Sequence, residues 1–265
     1  MSAVLQASDP VLLRRDTDHV AYLTLNRAQA RNALSVGLMT ALEQALADIA
    51  QDRAIHVVVI GGAGPAFCAG HDLREIRTRP DRAVMAELFT QCSRLMQQIV
   101  HLPKPVIARV HGVATAAGCQ LVASCDLAVA ADTARFATPG VNIGLFCSTP
   151  MVALTRAVSR KAAMEMLLTG ELIDAARARE LGLINRVVAE AELDAAVAAL
   201  AGQIAGKSPL TLAIGKAAFY RQAEMDLAAA YAYTAEVMTR NMLARDAGEG
   251  IDAFLAKRPP VWTGT

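Results

Sequence analysis

The sequence predicts an α/β fold with largely parallel strand pairing, closed by a helical C-terminal region. Two observations carry this. Up to Pro150, short β-branched runs alternate with stretches of helical apolar spacing, and beyond Pro150 nearly every segment has helical spacing. A third concerns the glycines: two Gly-containing junctions follow predicted strands, where open α/β sheets bind ligands.

Residues 20–26 (VAYLTLN) alternate in the manner of a strand. Leu38, Met39, Leu42, Leu46 and Ile49 then recur at helical spacing, with Ser35 placed to cap the helix. The pair repeats. Residues 56–62 (HVVVIGG) form a buried strand, and after a long loop Leu88, Cys92, Leu95 and Ile99 share one helical face over 88–100. Residues 105–110 are a strand, 114–125 a short helix, 126–131 a strand and 135–138 a further extended piece. Past Pro150, Asp174 caps a helix stopped by Gly182, residues 183–188 are extended, and helices cover 191–205 and 224–246. There is no fixed-period repeat or low-complexity tract. We expect a core over 1–200 and a helical region over 201–265, packed on the core or on a neighbouring subunit.

With 265 residues, 54% of them hydrophobic, the chain can bury a sizeable core. A net charge of +1 and the lack of any Lys/Arg run argue against nucleic acid as a partner. No stretch reaches the roughly 20 apolar residues of a membrane span, because Asp126, Asp132 and Arg135 interrupt the most apolar region. The opening 16 residues lack the layout of a secretory leader. Five cysteines without a C-x-x-C pair exclude a disulfide framework and a zinc site, so no metal is expected and a reducing cytoplasm fits best.

The two junctions are GGAGPAFCAGHDLREI (61–76) and HGVATAAGCQLVASCD (111–126). Neither is a phosphate loop: Phe67 stands where a third glycine of G-x-G-x-x-G belongs, and the segment from Gly202 to Ser208 is one residue short of a P-loop and follows no strand. G-x-S-x-G and H-E-x-x-H are absent. A tight turn at Gly70 can instead expose the His71 N–H, and small residues Ala116, Ala117 and Gly118 open a helix whose first N–H groups lack partners. Two such donors aimed at one point form an oxyanion hole, worth about 10²–10³ in rate per donor. From the residues alone, ordinary Gly turns explain both junctions equally well.

These same segments resemble the two signatures of the enoyl-CoA hydratase/isomerase (crotonase) family. The second extends over PVIARVHGVATAAGCQLVASCDLAVAADTARFATP (105–139). LTLNRAQARNAL (23–34), TGELIDAARARELGLINRVV (169–188) and FLAKRPPVW (254–262) resemble further family elements in the same order. The resemblance implies a crotonase spiral of ββα turns making two nearly perpendicular sheets, with C-terminal helices that build homotrimers or hexamers. It implies an acyl-CoA thioester as partner, with coenzyme A as part of the substrate and no separate cofactor. The N–H groups of His71 and Ala117 match the oxyanion donors. Ala66 and Ala69 match the backbone that meets adenine and pantetheine, Arg27 the loop beside the nucleotide, and Lys257 and Phe254 a C-terminal lysine and aromatic near coenzyme A. Apart from the family, Lys257 reads as a solvated surface charge.

The pattern then breaks. Family hydratases move protons with two glutamates, and at the matching positions this chain has Gln120 and Gly140. An amide has no ionisable proton near neutral pH, and positioned acid–base groups contribute about 10²–10⁴ each, so efficient hydration is not expected. Restoring both glutamates is expected to raise it. The run VNIGLFCSTP (141–150) resembles a mitochondrial enoyl-CoA-hydratase-domain-containing branch that shares the missing pair. Three readings remain open: a hydratase or isomerase working mainly through the oxyanion hole, another enolate reaction such as decarboxylation, and a non-catalytic acyl-CoA-binding protein. Cys147 reads as pocket lining or as a nucleophile, and Asp72 and Asp126 as structural.

Overall fold

The computed structural model describes residues 9–78 and 80–265. The segment read as lacking a leader falls partly on residues 1–8, outside the described residues. In chain order the elements are β1 (Leu12–Thr17), β2 (Val20–Leu25), α1 (Val36–Gln51), β3 (Val57–Gly62), β4 (Ala66–Cys68), α2 (Leu73–Thr78), α3 (Arg82–His101) and β5 (Val106–Val110). There follow β6 (Val113–Thr115), α4 (Ala117–Ser124), β7 (Leu127–Ala131), β8 (Arg135–Ala137), α5 (Pro150–Ala157), α6 (Arg160–Thr169) and β9 (Ile173–Asp174). The chain ends with α7 (Ala175–Leu181), β10 (Arg186–Val188), α8 (Leu193–Ala205), α9 (Pro209–Gln222), α10 (Leu227–Met242) and α11 (Arg245–Leu255).

Strands are shared between two sheets in a repeating way. One sheet has the order β1-β2-β3-β5-β7-β10 and the other β4-β6-β8-β9. Each of β3, β5 and β7 is thus followed by a short strand of the second sheet. After the first two of these pairs a helix returns the chain, which is the expected ββα spiral. Pairing is parallel except at β1–β2 and β8–β9.

Alternation along β3 explains why both faces of the large sheet are buried. Val58 and Ile60 join the main core with Leu38, Leu42, Leu46, Leu95 and Ile99 of α1 and α3. Val57 and Val59 face the other way, with Ile107 and Val129, and are covered by Leu193, Val197 and Leu200 of α8. Residues 200 and 201, between which the helical region was expected to begin, both lie inside α8, which packs on the large sheet.

Local chemistry sets the element ends. Ser35 Oγ accepts from Leu38 N at 3.2 Å, as expected, and Asp174 caps α7, which stops at Gly182. Asp81, unforeseen, accepts from Ala83 N and starts α3 well before Leu88. Residues Ala114 and Thr115, expected in a helix, belong to β6, and α4 opens only at Ala117. The long helix expected over 224–246 is two helices, because Ala244 turns extended between α10 and α11.

The C-terminal helices are tied to the core at one buried point. Lys216 of α9 donates to Ile99 O, Lys104 O and Asp126 Oδ2 at 2.9, 3.0 and 2.7 Å. Asp126 also accepts from Val106 N and from the Tyr220 hydroxyl. Its structural reading holds, with two partners the sequence did not reveal. Among the described residues no single helix is long and apolar enough to cross a membrane.

Candidate active site

Two main-chain turns are pressed together where β4 and β6 end. Gly70 has φ +93°, and a Cβ there would lie 2.9 Å from Ala116 Cβ and 3.4 Å from Ala117 N, so both conformation and space demand glycine. Gly118 is tighter still. A Cβ on it would fall 2.1 Å from Cys68 O, so α4 can approach β4 only with glycine at this position.

The His71 amide is freed by its neighbours. Leu34 N donates to Gly70 O at 2.7 Å and Asp72 N donates to Leu34 O at 3.1 Å, a parallel bridge that leaves the His71 N–H turned away from Leu34. It donates to no hydrogen bond among the described residues. Ala117 is the first residue of α4, where amides have no intrahelical acceptor and the helix dipole favours negative charge. Ala116 before it sits at φ 50°, ψ −118°, anchored by its N–H to Ala137 O at 2.9 Å.

Positive φ on an alanine stores strain of about 1–3 kcal/mol, against about 0.4–1 kcal/mol for the extra freedom of an unfolded glycine. We therefore expect Ala116→Gly to stabilise the fold by about 1 kcal/mol, read as a rise in Tm. A lower Tm would show that Ala116 is not strained.

The loop carrying Arg27 is locked onto this turn. Arg27 Nη2 donates to Asp72 Oδ2 at 2.8 Å, and this bond is the largest cause holding the Asp72 carboxyl below its usual range. Asp72 also accepts from Arg74 N and Glu75 N, which fits its structural reading. Asn32, which sequence reasoning missed, is fully buried at φ 54°. It accepts from Arg27 N and donates to Ala63 O and Ala66 O, each within 2.9 Å. Asn following a basic residue in a loop gave no periodic signal; its tolerance of positive φ is the one cue available. Ala69 N donates to Arg31 O, which completes the stitching.

The structure thus brings Arg27, Ala66, Ala69, His71, Ala117 and Gln120 to one place. It does not bring Phe254 or Lys257 there within one chain. Phe254 is 82% exposed, and neither side chain makes a hydrogen bond, ion pair or ring contact among the described residues. Phe254 lies on α11, which packs on α9 and α10, and Lys257 follows just past its end.

Gln120 is buried on α4, its Oε1 approached only by Cys92 Sγ of α3 at 3.8 Å. It also lines a cavity of about 1180 Å³ between α3, α4, α5 and α9, whose wall includes Met96, Ala123, Asp126, Lys216 and Tyr220. His71 packs edge-on against Phe89 of α3, with ring centroids 5.4 Å apart, and burial pushes its pKa down to about 4. Its Nε2 is buried and has no partner among the described residues.

Gly140 corrects an expectation. A Cβ there would lie 2.8 Å from Leu145 O and 2.9 Å from Cys147 Sγ, so a glutamate cannot be returned to this position without displacing the segment around 145–147. Cys147 fills that space and is buried, and its burial pushes the thiol pKa up, against a nucleophilic role. All five cysteines are buried and unpaired, and no group of three His, Cys, Asp or Glu suited to a metal ion occurs among the described residues.

A sequence profile of the enoyl-CoA hydratase/isomerase family matches residues 15–265. This chain belongs to that family. The human protein named enoyl-CoA hydratase domain-containing protein 3, mitochondrial, is 49% identical over 249 residues, covering 94% of this chain and 82% of the relative. Its crystal structure superposes with a TM-score of 0.93, at 48% identity over 95% of this chain and 100% of that one. A crystal structure of an enoyl-CoA hydratase from Mycobacterium smegmatis is 54% identical, with a TM-score of 0.94 over 96% and 99% of the two chains. The expected cytoplasmic location does not stand: this human family member and its counterparts from mouse, rat, frog and fish are all named as mitochondrial. Free thiols report a reducing environment and do not single out one compartment.

Proposed function

We propose that this family member binds an acyl-CoA thioester with its carbonyl oxygen between the N–H groups of His71 and Ala117, and stabilises the enolate that forms there. The observation that carries this is the close contact of the two turns: Gly70 against Ala116 and Ala117, and Gly118 against Cys68. Neither amide has a partner among the described residues, and main-chain donors fixed in advance need no reorganisation as charge develops on the oxygen.

Coenzyme A is part of the substrate in this reading. Ala66 and Ala69 offer backbone to adenine and pantetheine, and Arg27, braced by Asp72, shapes the loop beside the nucleotide. Phe254 and Lys257 reach coenzyme A in a homotrimer or a hexamer. Support comes from the apolar surface of the C-terminal helices, where Phe219, Tyr231, Leu243 and Leu255 are each more than 60% exposed. The acyl chain has room to run along α4 past Gln120 toward the cavity.

No carboxylate stands on α4 beside the donors, and Gly140 has no room for one, so the chain stabilises the enolate without the family's pair of proton carriers. This disfavours efficient hydration and leaves a lyase assignment to experiment. Decarboxylation of a malonyl-type thioester, which needs no base to begin, and acyl-CoA binding without turnover are the other two readings.

Purified protein should be mixed with crotonyl-CoA, butyryl-CoA and methylmalonyl-CoA, with products identified by mass and affinities by calorimetry. We expect micromolar or tighter binding of thioesters with slow hydration of crotonyl-CoA. Brisk hydration of crotonyl-CoA would sink the reading that the missing proton carriers limit this chain, and failure to bind any thioester would sink the assignment of the donor pair.

A further inference from the structure

Past α11 the chain turns back on itself, and two carboxylates one helical turn apart hold the returning segment. Glu249 accepts from both Nη atoms of Arg258, at 2.6 and 2.9 Å, and from the Val261 N–H at 2.7 Å. Asp246, which is buried, accepts from Thr263 N, Thr263 Oγ1 and Gly264 N within 3.0 Å and from Ser208 Oγ at 2.6 Å. The Trp262 indole N–H donates to Gly206 O at 2.9 Å. Residues 258–264 are thereby laid back along α11 toward its start.

Lys257 stands at the apex of this return. Its φ is 53°, and its N–H and that of Arg258 donate to Phe254 O and Ala253 O at 3.2 and 3.0 Å, which closes the helix. Glycine is the usual occupant of such a left-handed position, and a lysine is disfavoured there. Its ammonium makes no hydrogen bond or ion pair among the described residues. The apex therefore presents an unmatched cation on a turn clamped from behind. The clamp itself is partly exposed, and exposed ion pairs add little to stability. What it does fix is direction, because a two-pronged Arg–carboxylate contact plus a main-chain bond defines a geometry that a single contact leaves loose.

We propose that Glu249 is a positioning residue for coenzyme A: through Arg258 and the Val261 amide it aims Lys257 at the phosphates, and so sets the affinity for the nucleotide half of the thioester. This rests on the reading that Lys257 reaches coenzyme A. A cation whose turn is ordered before binding loses less freedom when the phosphate arrives. Glu249 itself touches no ligand. The hydrogen bonds from Arg258 pull its carboxyl down to about 2, so the clamp is present at neutral pH and is lost only in strong acid.

The test compares butyryl-CoA with butyryl-pantetheine, which has the same thioester and no phosphate, by calorimetry on the full chain in its native assembly. Lys257→Ala is expected to weaken butyryl-CoA about tenfold, the loss of one charge-assisted contact. Glu249→Gln should weaken it about fivefold, the cost of ordering a loosened side chain on binding. Arg258→Lys, which keeps the charge and loses the two-pronged contact, should behave like Glu249→Gln. Butyryl-pantetheine should bind all of these alike, and in a Lys257→Ala background Glu249→Gln should have no further effect. Equal weakening of both thioesters by Glu249→Gln would make its role structural and overturn the proposal. So would losses that multiply in the double variant, or wild-type butyryl-CoA affinity in Glu249→Gln where Lys257→Ala is weakened; each leaves the reading of Lys257 standing. Undiminished butyryl-CoA binding by Lys257→Ala would remove that reading and this inference together.

Discussion

Gly118→Ala should cost the protein its thioester binding while leaving most of the fold assembled. One methyl group at this position meets the Cys68 carbonyl oxygen at 2.1 Å and the carbonyl carbon at 2.8 Å, and neither is the flexible end of a side chain. Overpacking of this kind costs about 1–3 kcal/mol, and here relief requires α4 to move off β4. That motion carries the Ala117 amide away from the His71 amide. We expect at least a tenfold loss of butyryl-CoA affinity together with a lower Tm. Gly215→Ala is the control, because nothing lies within 4 Å of its Cβ and alanine is the better helix former. Equal affinity in Gly118→Ala and wild type would show that the donor pair does not depend on this approach.

A larger loss of stability is expected from Asp126→Ala. The substitution leaves the Lys216 ammonium, whose side chain is 7% exposed, without its counter-charge, and strips Val106 N and the Tyr220 hydroxyl of their acceptor. Breaking a buried pair from one side costs about 3–5 kcal/mol. For a chain of this length that is a Tm lowered by about 10 °C, read by calorimetry. Lys216→Met should cost less, since Asp126 keeps two other donors. An Asp126→Ala protein within about 1 kcal/mol of wild type would show that α9 is held by apolar contacts instead.

The parts of the fold legible in the sequence are those with a clear period. The alternation of 20–26, the apolar run of 57–60 and the helical stripes of α1 and α3 were readable because each element buries a regular face. β1 escaped because its pattern is mostly exposed, with Arg14, Arg15 and Asp16 in the middle of the strand. β4 escaped because three residues between glycine-rich turns carry no period, and its existence depends on pairing with β6.

The site divides in the same way. Gly70, His71 and the small residues at the start of α4 stood out as glycine-dependent turns at strand ends, although only the structure shows them touching. Asn32 could not be found from spacing, since two of its hydrogen bonds join segments more than thirty residues apart. The crowding at Gly140 was also invisible, because it arises from Leu145 and Cys147 folding back over it. A missing carboxylate read from sequence as a gap is, in space, an occupied position.

The closest contacts among β4, β6 and α4 run between main chains, the Cys68 carbonyl against Gly118 and Gly70 against Thr115 O and Ala117 N, while Asn32 ties the loop before them to β4. A frame clamped in that manner does not register which functional groups project from it. Side chains such as Gln120 and His71 can therefore change without moving the main-chain turns that carry the His71 and Ala117 amides.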